Sequence, residues 1–207
     1  MQGAFENMKI LGITGGVGAG KSTVLQYLNK KYQVRVMELD KAAHLLMGPG
    51  QSCYTPLTEK FGMGILSAEG RIDRQKLYAE TFAKQSGIEA LNQIVHPRVK
   101  EYVKQEIIKE EKNGRPFLVL EAALLLEDHY EEICDEIWYV FVCEEARKKR
   151  LISSRGYSEE KIAQILSNQK TDAQFRAACQ FVIDNSSDIM ENTYEQIDKG
   201  LKEHGFV

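Results

Sequence analysis

The sequence predicts an α/β fold: a five-stranded parallel sheet flanked by helices. Three observations carry that expectation. Apolar, β-branched runs recur along the chain with helical stretches between them. The runs are continuously apolar rather than alternating, as in strands buried on both faces of a parallel sheet. The first of them passes straight into a glycine-rich turn and then a helix, the order found in strand–helix units.

In chain order, strands are expected over residues 8–14, 33–37, 116–121, 137–142 (Ile-Trp-Tyr-Val-Phe-Val) and 181–183. Trp138, Tyr139 and Phe141 read as packed strand residues of the core. Residues 41–115 read as a helical insertion, punctuated by Gly48-Pro49-Gly50, Phe61-Gly62, Glu69-Gly70 and Ser86-Gly87. Within it a helix is expected to begin at Pro97, a residue favoured in the first turn, and to end at Asn113-Gly114. So large an insertion exceeds what a crossover needs, and it is expected to shape a substrate pocket. A second helical stretch, residues 146–179, is basic (Arg147, Lys148, Lys149, Arg150, Arg155) and breaks at Gly156. It reads either as a solvated amphipathic helix pair or as a lid that brings arginine to phosphates. The remaining segments, about 8–40, 116–145 and 180–207, complete the core of one domain.

Composition narrows the function. Of 207 residues, 43% are hydrophobic and 28% charged, proportions of an ordinary soluble globular chain. A net charge of −3 argues against bulk binding to nucleic acid or to an anionic membrane, so any anion site must be local. Cys53, Cys134, Cys143 and Cys179 are scattered without metal-ligand spacing and read as reduced thiols of a cytoplasmic protein. No run approaches the length of a membrane span, and no signal-peptide pattern opens the chain. Residues 1–7 precede the first strand and are expected to be a dispensable extension.

The chemistry is carried by Gly15-Gly16-Val17-Gly18-Ala19-Gly20-Lys21-Ser22-Thr23, which is G-x-x-x-x-G-K-[ST] between a strand and a helix. Glycines let backbone N–H groups turn inward and approach phosphate oxygens without a Cβ in the way. The helix beginning near Lys21 adds unpaired N–H groups and the positive end of its dipole. Lys21 is expected to reach the β- and γ-phosphates, and the Ser22 or Thr23 hydroxyl to join a Mg²⁺ shell made mostly of water and phosphate. The expected ligand is therefore a nucleoside triphosphate in the P-loop NTPase fold. Glu121, at the end of the third strand, is placed to hold a magnesium-bound water, with Glu127 as the competing carboxylate. A guanine-reading N-K-x-D segment is missing: Asn168-Gln169-Lys170-Thr171-Asp172 has the wrong spacing and does not follow a strand. A short sheet, a large helical insertion and a basic lid fit a kinase of the nucleoside-monophosphate type.

Several segments together resemble the dephospho-coenzyme A kinase family. Residues 12–22 have that family's T-G-G form of the loop. Glu38-Leu39-Asp40-Lys41-Ala42-Ala43-His44 is similar to its D-x-D-x-x-A-[RH]. Phe61-Gly62 and Gly70-Arg71-Ile72-Asp73-Arg74, with Leu77 and Phe82, follow its F-G…G-x-[LI]-D-R-x-x-L…F run. Leu91 to Pro97 follows L-x-x-I-x-H-P, and Leu124-Leu125-Leu126-Glu127 follows L-L-[FL]-E. Arg150-Leu151 with Arg155-Gly156 matches the lid, and Val182-Ile183-Asp184-Asn185 matches V-I-[DN]-N. The chain departs from the pattern at Glu38, Ala123 and Gln180, all outside the phosphate loop.

The resemblance implies transfer of the ATP γ-phosphoryl group to the 3′-hydroxyl of dephospho-CoA, with no nucleic-acid, membrane or obligate protein partner. It makes Asp40 a candidate base for the 3′-hydroxyl, a residue equally suited to capping the helix that follows it. Arg155 is either the lid arginine or an exposed helix-end residue. Arg74, Lys76, His96 and Arg98 become candidates for contacting the acceptor's pyrophosphate or adenine, although His96 before Pro97 would also cap a helix. The Asn185 loop is implied to frame the ATP adenine. Other small-molecule P-loop kinases, and a nucleotide-dependent switch, remain alternatives at this stage.

Overall fold

The structure, a computed structural model, describes residues 8–83 and 86–207. The expectation for residues 1–7 lies outside the described residues. The strands are β1 (Lys9–Thr14), β2 (Arg35–Glu38), β3 (Phe117–Glu121), β4 (Glu136–Phe141) and β5 (Phe181–Asp184). They form one sheet in the order β2-β3-β1-β4-β5. The pairs β1–β3, β1–β4 and β4–β5 are parallel. The continuous apolar runs are explained by burial on both faces. Leu11, Ile13, Phe117, Val119, Trp138, Val140 and Ile183 enter one core cluster, while Ile10, Leu118, Leu120, Ile137 and Tyr139, of opposite parity, are also buried.

The first cluster is closed by α1 (Lys21–Tyr32), through Val24, Leu25 and Leu28, and by the C-terminal α9 (Met190–Glu203), through Ile197 and Leu201. Gln33 does not start β2 as the pattern suggested. It terminates α1 in the left-handed region at φ 53°, with its N–H donating to the Asn29 carbonyl at 3.0 Å. A helix must leave its last carbonyls with partners, and here that need outranks the strand signal.

The chain divides into two compact units, the segment up to Met37 with Glu110–Val207, and Glu38–Lys109. The second contains α2 (Leu39–Leu46), α3 (Tyr54–Phe61), a 3-10 turn at Met63–Ile65, α4 (Arg74–Ala83) and most of α5 (Gly87–Lys112). In α5 the prediction of a helix starting at Pro97 needs correction, because the helix begins at Gly87 and runs through the proline. A mid-helix proline costs about 3 kcal/mol. Val95, Val99, Val103 and Ile107 form a buried stripe across that point, worth roughly 6–12 kcal/mol by area burial. The stripe prevails.

After β4 come α6 (Glu144–Arg155), α7 (Glu159–Ser167) and α8 (Asp172–Ala178). The break at Gly156 is a helix C-cap at φ 62°. Thr171 and Gln174 form a reciprocal capping box that starts α8. Phe175 of α8 stacks on Tyr139 of β4, with centroids 4.5 Å apart and planes at 9°.

Candidate active site

The phosphate loop occupies residues 15–20 between β1 and α1. Its glycines are required by their surroundings. Gly15 sits at φ 149°, and a Cβ there would lie 2.6 Å from the Val140 carbonyl of β4. Gly20 is the N-cap of α1 at φ 87°, and a Cβ would collide with the Asn185 carboxamide. No side chain caps α1, and while the Thr23 N–H donates to the Gly20 carbonyl at 3.0 Å, the N–H groups of Lys21 and Ser22 and the positive dipole end face the loop as an anion site.

Lys21 lies over the loop, with Nζ donating to the Gly15 carbonyl at 2.8 Å and 3.5 Å from Glu121 Oε1. Glu121 closes β3, the strand beside β1, and so holds the lysine from the sheet side. The competing carboxylate, Glu127, pairs instead with Lys170 at 3.7 Å. Ser22 and Thr23 follow Lys21 in the first turn of α1. Among the described residues no cluster of three or more His, Cys, Asp or Glu side chains is placed to hold a metal. The hydroxyls of Ser22 and Thr23 and the Glu121 carboxylate are hard oxygen donors, the chemistry that suits a Mg²⁺ ion.

Asn185 is held from both sides. It is 2% exposed. Its Nδ2 donates to the Ala19 carbonyl at 2.8 Å, and its Oδ1 accepts from Thr193 Oγ1 of α9 at 2.9 Å. Its main-chain N–H donates to the Phe141 carbonyl, and its carbonyl accepts from Arg150 Nη1 at 2.8 Å. The carboxamide is thus spent on bracing the loop.

The arginine seated on the loop is Arg147 of α6. Its Nε donates to the Val17 carbonyl at 2.7 Å and its Nη2 to Gln169 Oε1. A Cβ on Gly16 would run into that guanidinium, and one on Gly18 would lie 3.0 Å from Leu151, one turn further along α6. Burial pushes the Arg147 guanidinium down from its ordinary value, with Tyr139 and Glu144 opposing the shift. Arg155 is the last residue of α6, exposed, with its guanidinium 5.9 Å from the Tyr157 ring. Sequence reading singled out Arg155 and grouped Arg147 with the charge run. The available clue was spacing: Arg147 stands four residues before Leu151, the buried residue of that helix.

In the second unit Asp40 lies in the first turn of α2, exposed, and Glu38 rather than Asp40 occupies the N-cap position. Arg74 opens α4. Lys76 donates from Nζ to the Leu66 carbonyl at 2.6 Å. Arg98 is tied to the Ser52 carbonyl at 3.0 Å and the Ile94 carbonyl at 2.7 Å. His96 is half-buried within α5, directly before Pro97. His44, which the sequence reading noted only as part of a segment, faces charge of both signs. Burial first and Arg74 second push its pKa down from the ordinary value, while Asp40 pushes it up.

A parallel sheet with this loop after its first strand, an uncapped helix behind it and an arginine laid across it defines a P-loop kinase. Shikimate kinase from Bacteroides thetaiotaomicron has the same fold, with a TM-score of 0.54 at 16% identity over 94% of this chain and 99% of that one. Within that class the chain belongs to the dephospho-CoA kinase family, whose model matches residues 9–191. The dephospho-CoA kinase of Carboxydothermus hydrogenoformans is 36% identical over 191 residues, 92% of this chain and 91% of the relative. A crystal structure from Thermus thermophilus matches with a TM-score of 0.81 at 26% identity, covering 96% of this chain and 98% of that one.

Proposed function

We propose that this chain transfers the γ-phosphoryl group of ATP to the 3′-hydroxyl of dephospho-CoA, giving CoA and ADP in the cytoplasm. The observation that supports it most is the braced phosphate loop, with Lys21, Glu121 and Arg147 converging on it, in a chain of this family.

Phosphoryl transfer asks for positioning and charge neutralisation more than covalent help. The N–H groups of residues 15–20 and of the first turn of α1 cradle the polyphosphate, and Lys21 swings from the Gly15 carbonyl to the β- and γ-oxygens. Ser22 or Thr23 would hold a Mg²⁺ ion, which would supply charge neutralisation to the polyphosphate, and Glu121 would orient a water beside it. Arg147 fixes Val17 and so the curvature of the loop, with guanidinium N–H groups left to face phosphate. Arg155 closes from the lid to exclude water, so that ATP is not hydrolysed. Asp40 orients the acceptor's 3′-hydroxyl and accepts its proton. Arg74, His96 and Lys76 bind the acceptor, Lys76 by exchanging the Leu66 carbonyl for phosphate. Asn185 acts behind the loop, as a positioning residue for ATP.

Purified protein incubated with Mg²⁺–ATP and dephospho-CoA tests the reading, with Lys21→Ala as the inactive control. CoA and ADP should appear in equal amounts. Phosphorylation of nucleotides or shikimate without turnover of dephospho-CoA would overturn it.

A further inference from the structure

Arg74, Tyr78 and Phe82 recur every four residues along α4 and so share one face of that helix. Leu77 and Thr81, which border that stripe on one side, are buried, and α4 packs on α3 and the 3-10 turn at Met63–Ile65. The outward face is unusual for a surface. Tyr78 is 65% exposed and Phe82 56%, and their rings pair with centroids 4.2 Å apart. Large aromatic rings left in water together carry information that a single exposed leucine does not. A shallow, open depression of about 580 Å³, lined by Arg74, Gln75, Tyr78 and Ala79, lies beside them. The helix is held firmly at its start, where Asp73 Oδ1 accepts from the N–H groups of Gln75 and Lys76 at 2.9 and 3.1 Å.

We propose that Tyr78 and Phe82 form the platform on which the purine base of the acceptor stacks, while Arg74 pairs with the phosphates attached to that nucleoside. The inference rests on dephospho-CoA being the acceptor. Two aromatic faces and a guanidinium one helical turn away match a purine nucleotide in both shape and charge. The same patch offers little to a pantetheine arm, which has no π-face and no charge for Arg74. Arg74 also lies within electrostatic reach of His44, which in turn feels Asp40, so platform and candidate base belong to one charged neighbourhood of the second unit.

The test compares the wild-type chain, the Tyr78→Ala/Phe82→Ala double variant and Phe82→Trp, with KM measured separately for dephospho-CoA and ATP. Stacking on an aromatic side chain is worth about 5- to 150-fold in affinity per base, and for half-exposed rings the acceptor KM should rise about 10-fold in the double variant. KM for ATP should not move, and Phe82→Trp, which keeps an aromatic face, should hold the acceptor KM near wild type. The fluorescence gained through the Phe82→Trp substitution should be quenched by dephospho-CoA and not by 4′-phosphopantetheine, which lacks the purine. Four outcomes would overturn the proposal: an unchanged acceptor KM in the double variant, a rise in KM for ATP instead, equal quenching by both ligands, or a patch whose removal alters only self-association in sedimentation. Wild-type turnover with an unmoved KM sinks this inference alone. No wild-type turnover of dephospho-CoA sinks it together with the proposed function.

Discussion

Replacing Asn185 by alanine isolates what bracing contributes to the loop. The carboxamide bridges the Ala19 carbonyl at 2.8 Å and the Thr193 hydroxyl at 2.9 Å, in a site 2% exposed. Alanine leaves both partners buried without a replacement, and each stranded group costs about 1–3 kcal/mol. With partial relaxation the expected loss is about 2–4 kcal/mol. For a domain of this size that lowers Tm by about 5–15 °C. Thr193→Val removes one of the two bonds, so the two changes should couple rather than add. Thermal unfolding of the single and double variants, together with KM for ATP, measures both effects. Saturating Mg²⁺–ATP should recover part of the lost Tm, since ligand binding refills the native state. A Tm and an ATP KM indistinguishable from wild type would refute the idea that this residue organises the loop.

Other expectations follow from the same geometry. Asp40→Asn should lower kcat on dephospho-CoA by about 10²–10⁴-fold while leaving ATP affinity intact by equilibrium titration; a wild-type rate would remove Asp40 as the base. Arg147→Met should raise KM for ATP by about 10- to 100-fold, the worth of a charged hydrogen bond. Arg155→Ala should lower kcat instead, and steady-state kinetics of the pair separates a seated arginine from a mobile one. Cys134, buried and pushed up to about 12 by that burial, should resist a thiol reagent at pH 8 until denaturant is added; prompt labelling in the native protein would contradict that burial. His44 should titrate by NMR below its ordinary value, and Arg74→Ala should raise its pKa by removing one of the two downward causes. Because that shift is downward, the unfolded chain binds the proton more readily, so this group's contribution to stability falls as pH drops below about 6.5.

Much of this was legible because the signals are local. An apolar run such as residues 137–142 needs two buried faces, and a loop such as residues 15–23 has one physical use. What escaped reading depends on distant partners. The strand order cannot be taken from periodicity, because Leu11 pairs with Val119 and Glu136 through backbone atoms that every residue shares. Pro97 carries a start signal, and only the buried stripe from Val95 to Ile107 shows why the helix ignores it. Arg147 and Arg155 have the same side chain, and their difference lies in which reaches Val17. Asn185 could be placed beside the nucleotide by its segment, but its commitment to Ala19 and Thr193 required coordinates.

The Ala19–Asn185 bond also has a consequence for how the protein is made. Its two ends are 166 residues apart. Ribosomes add about 5–20 residues per second, so the loop waits about 8–33 s for the residue that braces it, and longer for Thr193 behind that. Through that interval a nascent chain carries the nucleotide-binding sequence without its brace. ATP can act as a folding ligand for the braced loop only once Asn185 and Thr193 have been made. A chain cut short before Asn185 would display the complete loop sequence and lack the side chain that braces it.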